Sequence, residues 1–430
     1  MSATFTPLHR LEAWQAVPLL ARRELSAVDL VRACLDRIAE REAQVQAFVQ
    51  LGADAALATA LELEAGPVRG LLHGLPFGVK DLFDTFDLPT AYGSPIYAGR
   101  QPPADAAAVA LCREAGAVLL GKTVTTELAN MFPGATRNPH HLAHTPGGSS
   151  SGSAAAVADG MLPLSLGTQT AGSLIRPAAF CGVVGYKPTH NRVPKAGVKS
   201  LSETLDTVGG FARSVRDVAL LGAVLTGDAR LADPANFEQA AAPRIGLCRT
   251  FEWAQAGDDT QQAWAQAEKA LADHATPLTL PVPWRGLVRV QKEVQAFETA
   301  RSLSHERLRY RELLSAPLQA LITDGLAISG ETHARNLRAT ASARQQAQAL
   351  FDQHDVLLAP STLGEAPRGL DSTGDPLFCR SWTLLGLPCV HLPFARGRYG
   401  LPVGLQLVGA PGDDHRLLAA AHWVHQRLRS

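Results

Sequence analysis

Apolar residues recur at helical spacing at Val28, Val31, Leu35 and Ile38. Ser26 followed by Asp29 supplies an N-cap signal, so the pattern predicts an amphipathic helix ending near Glu42. A second helix is predicted over residues 53–63, and the arm 1–65 reads as helical packing. Beyond Gly66-Pro67 the pattern changes. The run Gly-Leu-Leu-His-Gly-Leu-Pro-Phe-Gly-Val-Lys-Asp at 70–81 predicts a short buried strand that carries Lys80 out of apolar surroundings. A helix over 105–115, a strand over 117–120 and a helix opening near Thr125 continue the alternation expected of an α/β sheet.

Residues 134–146 read as a loop. The small residues Gly147 to Ser153 then run into an alanine-rich helix at 154–158, which can lie close against its neighbours. A strand at 162–166 feeds the turn Gly-Thr-Gln-Thr-Ala-Gly-Ser-Leu-Ile-Arg-Pro at 167–177. An apolar run at 181–188 and a helix over 213–225 follow. The polar stretch 227–243 reads as a linker, and 245–248 as another strand. Residues 288–351 are mainly helical and are expected to cover the sheet. Strands at 356–359, 389–392 and 403–408 precede a closing helix marked by Leu417, Leu418, Ala421 and Val424. No solenoid repeat is present. The fold class is α/β, one large sheet with helices around it.

Charge and composition narrow the partners. Lys plus Arg number 40, as do Asp plus Glu, with no long run of either sign, so a nucleic-acid or anionic-membrane footprint is not expected. No apolar stretch approaches the roughly 20 residues that span a bilayer. The start MSATFTPLHRLEAW lacks the basic-then-apolar layout of a secretory leader. The expectation is a cytoplasmic protein acting on a small molecule. Six cysteines without CxxC spacing read as reduced core thiols.

The chemistry gathers around Ser173. Small residues let a reacting carbonyl approach the backbone, and successive N–H groups in such a turn can form an oxyanion site. Amide hydrolysis requires a nucleophile, a proton carrier and oxyanion donors. A lysine serves as base only when neutral, and burial favours that form. Taken singly, Lys80 reads as a snorkelling lysine, Ser149 as a helix cap and Ser173 as a turn residue; order and spacing together argue for a site. His140, His141 and His144 lack an acidic or cysteine partner at ligand spacing, so no metal is expected. Residues 147–153 lack the Gly-Lys-Ser/Thr ending of a phosphate loop. The rival elbow Gly148-Ser149-Ser150-Ser151-Gly152 would make Ser150 a nucleophile with Asp355 and His391, but it follows a loop rather than an apolar strand.

These stretches resemble the amidase signature family of Ser-Ser-Lys hydrolases. The family's Gly-Gly-Ser-Ser-Gly-Gly-Ser run is similar to 147–153, its Thr-Asp-Thr-Gly-Gly-Ser turn to 168–173, and its strand-borne lysine to Lys80. The likeness extends to Gly121-Lys122-Thr123 with Glu127, to Phe180-Cys181-Gly182, to 185–189, and to 401–409. It implies a large twisted mixed β-sheet surrounded by α-helices over 1–430, with a signature core at 66–228 and the C-terminal part of the sheet at 244–430. It implies Ser173 as nucleophile, Ser149 as a proton relay in a cis-peptide, and Lys80 as base. Backbone N–H groups of Thr170, Ala171, Gly172 and Ser173 would form the oxyanion hole. Glu127, Met131 and Ser150 are candidate substrate contacts.

The resemblance implies hydrolysis of a carboxylic amide, or of a related ester, carbamate or urea, with water as second substrate and no cofactor. One component of an amidotransferase complex, releasing ammonia from an amide, is the alternative; a homodimer is also compatible. Ser151, Gln169 and Ala171 depart from the usual Gly, Asp and Gly, and Arg176 falls one residue late. If the usual Asp and Arg support each other, Gln169 and Arg176 represent a neutral replacement of that pair. Pocket walls are expected from 127–132, a loop at 200–210 and the helical region 288–351.

Overall fold

The computed structural model describes residues 6–429; the first five positions of the leader reading lie outside them. The eleven strands are β1 (Phe48–Leu51), β2 (Pro76–Lys80), β3 (Val118–Thr123), β4 (Leu164–Gln169), β5 (Val184–Lys187), β6 (Thr207–Ala212), β7 (Ile245–Leu247), β8 (Ala275–Pro277), β9 (Val356–Pro360), β10 (Cys389–Arg396) and β11 (Pro402–Gly409). They form a single mixed sheet in the order β1-β3-β2-β4-β6-β5-β10-β11-β9-β7-β8. Every residue of β2, β3, β4, β5, β6, β9 and β11 is buried, as expected where helices cover both faces. Strand β2 runs parallel to β3 and to β4. Lys80 and Gln169 therefore end neighbouring strands at the same, carboxyl edge, where open α/β sheets place ligands.

The first predicted helix spans Ala27–Val45, and Ser26 accepts from the Asp29 N–H. The arm is not wholly helical: β1 pairs antiparallel with β3 at the sheet edge. The helix expected near Thr125 is replaced by a single tight turn, Glu127–Ala129, in which Leu128 and Ala129 adopt positive φ. Those backbone angles stop a helix from propagating. The end of the expected 200–210 loop is instead the start of β6. The segment 227–243 is more than a linker, since its short helical turns bury Leu231 and Phe237. Residues 288–351 form four α-helices, Leu287–Ser302, Ser304–Arg309, Ala316–Ala327 and Gly330–Leu350, with a short 3-10 turn at Arg311–Leu313.

Two packing contacts position the site. A Cβ on Gly152 would lie 2.1 Å from the Ala47 carbonyl oxygen and 2.4 Å from the Val124 nitrogen, so only glycine lets helix Ser151–Asp159 reach the β3 end. Helix Leu377–Leu385 buries Leu377, Phe378, Trp382, Leu384 and Leu385. Truncating a buried aromatic of that kind typically costs about 3–5 kcal/mol. The helix is therefore firmly seated, and its first turn lies against Gly172, where a Cβ would meet Pro376 at 2.6 Å and Cys379 at 3.2 Å.

Among the described residues, no helix is long and apolar enough to cross a membrane. All six cysteines are free and buried.

Candidate active site

Lys80 is fully buried at the end of β2, and its Nζ lies 2.7 Å from both Ser149 Oγ and Thr168 Oγ1. Burial pulls its pKa down from 10.5 to about 7, with Asp206 opposing and Arg176 reinforcing the shift. The contrast with Lys122 is instructive. That buried lysine pairs with Asp81 at 3.0 Å and also donates to the Phe83 carbonyl, so its charge has compensation. Lys80 meets hydroxyls instead, which suit a neutral amine as well as an ammonium.

Ser149 follows a cis peptide, Gly148-Ser149. Arg176 Nε and Nη2 donate to the Gly148 carbonyl at 3.2 and 2.7 Å, and Nη1 donates to the Gly374 carbonyl. Arg176 thereby fastens the Ser173 turn to the peptide bearing Ser149. Burial lowers its pKa to about 10.

Gln169 acts elsewhere. Its Oε1 accepts from the Leu174 and Ile175 N–H groups at 2.9 and 3.0 Å, and its Nε2 donates to Thr383 Oγ1 at 2.9 Å. The expected neutral replacement of an Asp–Arg pair is therefore corrected: Gln169 caps the start of helix Ile175–Cys181, whereas Arg176 binds carbonyls. The turn between them is pinned through its oxygens. Gln291 donates to the Thr170 carbonyl at 3.1 Å, Thr383 to that of Ala171 at 2.7 Å, and the Arg176 N–H to that of Gly172 at 2.8 Å. Among the described residues, the N–H groups of Thr170, Ala171, Gly172 and Ser173 have no protein acceptor. Ser173 Oγ likewise has no hydrogen-bond partner, and the residue is 7% exposed.

Thr170 Oγ1 donates to Asp206 at 2.6 Å, while the other Asp206 oxygen accepts from Ser200 and from the Leu201 and Ser202 N–H groups. A cavity of about 510 Å³ opens here, with Ala129, Thr168, Thr170, Leu201 and Asp206 in its wall. A second, of about 420 Å³, is lined by Asn130, Met131, Gln295, Leu321 and Arg380. The three expected wall segments therefore contribute to these cavities, but Ser149 and Ser173 line neither; Thr168 and Thr170 provide the link.

Of the other sequence candidates, Met131 lines the second cavity, whereas Ser150 and Glu127 line neither. Ser150 is fully buried, donating to the Thr168 carbonyl and accepting from the Thr168 N–H, both at 3.3 Å. Glu127 accepts from the Ser315 N–H at 3.2 Å, which ties the tight turn to the covering helices. Met131 is 45% exposed on the second cavity. The elbow triad is not assembled: Asp355 pairs with Arg244 at 2.8 Å, and His391, pushed to about 3 by burial, faces Ser361. His140 and His144 meet the Cys181 and Ala366 carbonyls. Thr168, Gln291, Thr383 and Arg380 are not singled out by the sequence. Only Thr168 carries a local signal, as a hydroxyl at the strand end; the rest arrive from helices far along the chain.

The decisive comparison is a family model, described as Amidase, that matches residues 29–418. The chain belongs to the amidase family. As an amidase it is a hydrolase of amide carbon–nitrogen bonds. Among curated relatives, the glutamyl-tRNA(Gln) amidotransferase A-subunit of Roseiflexus castenholzii is 35% identical, covering 98% of this chain and 96% of the relative. Its counterpart in Anaeromyxobacter sp. (strain K) is 33% identical, covering 100% and 98%. Among solved structures, one described as a crystal structure of amidase has a TM-score of 0.87 at 32% identity, covering 97% of this chain and all of its own. The peptide amidase of Stenotrophomonas maltophilia has a TM-score of 0.83 at 28% identity, covering 99% and 98%. These neighbours share the mixed-sheet fold of this amidase.

Proposed function

We propose that this amidase hydrolyses a small-molecule carboxylic amide through a Ser173 acyl-enzyme, with Ser149 and Lys80 carrying the proton. The observation that supports it most directly is Lys80 at 2.7 Å from Ser149, buried among hydroxyls and shifted to about 7. Neutral Lys80 accepts a proton from Ser149 as Ser149 takes one from Ser173. Ser173 Oγ attacks the carbonyl carbon, and the oxyanion is held by uncommitted N–H groups within 170–173, each such donor contributing roughly 3 kcal/mol. The proton returns to the departing amine, and water then hydrolyses the ester by the reverse relay.

A fluorophosphonate probe followed by peptide mapping tests this reading. An adduct at Ser173, lost in Lys80→Met, is expected; an adduct at Ser150 instead would overturn it. A second reading rests on the amidotransferase relatives: the chain releases ammonia from an amide only when assembled with a partner. Ammonia release from glutamine by the isolated chain is the discriminating measurement. Six buried free thiols suit a reducing compartment, and we place the enzyme in the cytoplasm.

A further inference from the structure

Arg380 sits on helix Leu377–Leu385, one residue beyond Cys379, which packs on Gly172. It is 8% exposed and lines the 420 Å³ cavity. Its acceptors within the protein are two neutral carboxamide oxygens, those of Gln291 and Gln295, both taken by Nη1. Nε is shielded and has no partner; among the described residues Nη2 has none either. The guanidinium therefore presents an uncommitted Nε/Nη2 edge, the edge that receives a planar carboxylate through two parallel hydrogen bonds. Exposed Asp375 attracts it only at a distance.

A buried cation without a counter-ion is unfavourable until an anion arrives. Asn130, 5% exposed on the same cavity, also has a buried Nδ2 without an acceptor. The acidic members of the wall do not pair with Arg380: Glu293 bonds Asn336 and Arg289, and among the described residues Arg380 hydrogen-bonds only Gln291 and Gln295, not Asp324. Arg380 is linked to the Ser173 turn by hydrogen bonds, because Gln291, which accepts from Arg380, donates to the Thr170 carbonyl.

We infer that Arg380, with Asn130 beside it, is a specificity residue that binds a carboxylate on the amide substrate. This rests on the amidase reading of Ser173 and adds a substrate class to it. The carboxylate can lie on the acyl part or on the leaving amine, and paired substrates separate the two. Succinamate is compared with butanamide for the acyl side, and N-butanoylglycine with N-propylbutanamide for the amine side. The wild-type enzyme is expected to favour the anionic member of at least one pair by tenfold or more in kcat/KM. Arg380→Gln should cut that ratio at least tenfold, and Arg380→Lys, which keeps the charge without the fork, should cut it less. A merely structural role would lower both members together and leave the ratio unmoved.

Calorimetric titration with succinate supplies a readout independent of turnover: succinate should bind the wild-type protein and bind Arg380→Gln at least tenfold more weakly. No anionic preference in either pair, an unchanged ratio in Arg380→Gln, or equal succinate affinity overturns the inference. If Arg380→Gln does not fold, the wild-type preference decides together with succinate titration of the wild-type protein and Arg380→Lys, absence of succinate binding to the wild type overturning the inference. Fluorophosphonate labelling of Ser173 distinguishes the two levels, since a missing adduct overturns the nucleophile while succinate binding still judges Arg380.

Discussion

Replacing Lys80 by methionine separates its proposed role in proton transfer from its energetic burden. The buried amine titrates near 7 rather than 10.5, and each unit is worth 1.36 kcal/mol, so the folded state disfavours the ammonium by about 5 kcal/mol. The sign follows from linkage. The unfolded chain holds the proton more tightly, so the destabilisation is complete below pH 7 and is relieved as pH rises toward 10.5. At pH 6 almost the whole amount applies; at pH 9 about 2 kcal/mol is left. Methionine leaves the Ser149 and Thr168 hydroxyls without Nζ, a pH-independent loss of about 1–3 kcal/mol. The pH dependence therefore carries the test.

Urea denaturation of wild type and Lys80→Met at pH 6 and pH 9 should give a stability difference that moves by about 3 kcal/mol in favour of wild type at the higher pH. In the wild type, the neutral fraction of Lys80 is about one half at pH 7 and about one tenth at pH 6, so kcat/KM should fall nearly tenfold per unit at lower pH. A chromogenic aryl amide followed from pH 5 to 9 measures this. A rate that increases toward acid, or a stability difference that does not change with pH, would refute the neutral-lysine base.

Ser173→Ala should abolish acylation, whereas Ser150→Ala should keep the fluorophosphonate adduct and lose about 1–2 kcal/mol of stability, because its hydroxyl bridges to Thr168 backbone; the two variants in parallel labelling and melting experiments decide. Gln169→Leu removes the acceptor for the Leu174 and Ile175 N–H groups, and should lower stability by about 2 kcal/mol and kcat/KM more than tenfold; wild-type values for both would show that the cap is dispensable. Gly172→Ala drives a methyl group against Pro376 and Cys379. It should reduce kcat about a hundredfold by displacing the proposed oxyanion turn, and steady-state kinetics showing unchanged kcat would separate that turn from catalysis.

Much of the site is legible in the chain because its parts are local. Ser149 and Ser173 lie in short runs of small residues that suit a close-packed turn, and Lys80 closes an apolar strand. β9 is visible because its fully buried residues form an uninterrupted apolar run, and β2, β4 and β11 because their runs are mainly apolar, broken only by Lys80, by Ser165, Thr168 and Gln169, and by Gln406. Failures come where pairing or turn geometry overrides composition. The Thr125 region has a helix-compatible start, but positive φ at Leu128 and Ala129 turns it away. β1 and β8 are short edge elements whose largely exposed residues carry little pattern.

Local sequence determined which groups could perform the chemistry, because a nucleophile, a hydroxyl relay and an amine base are properties of residues and their immediate neighbours. Tertiary structure alone decided their state and surroundings. Lys80 is shifted because β2, β3 and β4 bury it together with Ser149 and Thr168. Gln169 became a helix cap only when Thr383 arrived from more than 200 positions away. Arg380 came to face a cavity through contacts with Gln291 and Gln295, on a helix far from it in sequence. Burial and long-range hydrogen bonding are collective, and no window of the chain contains them.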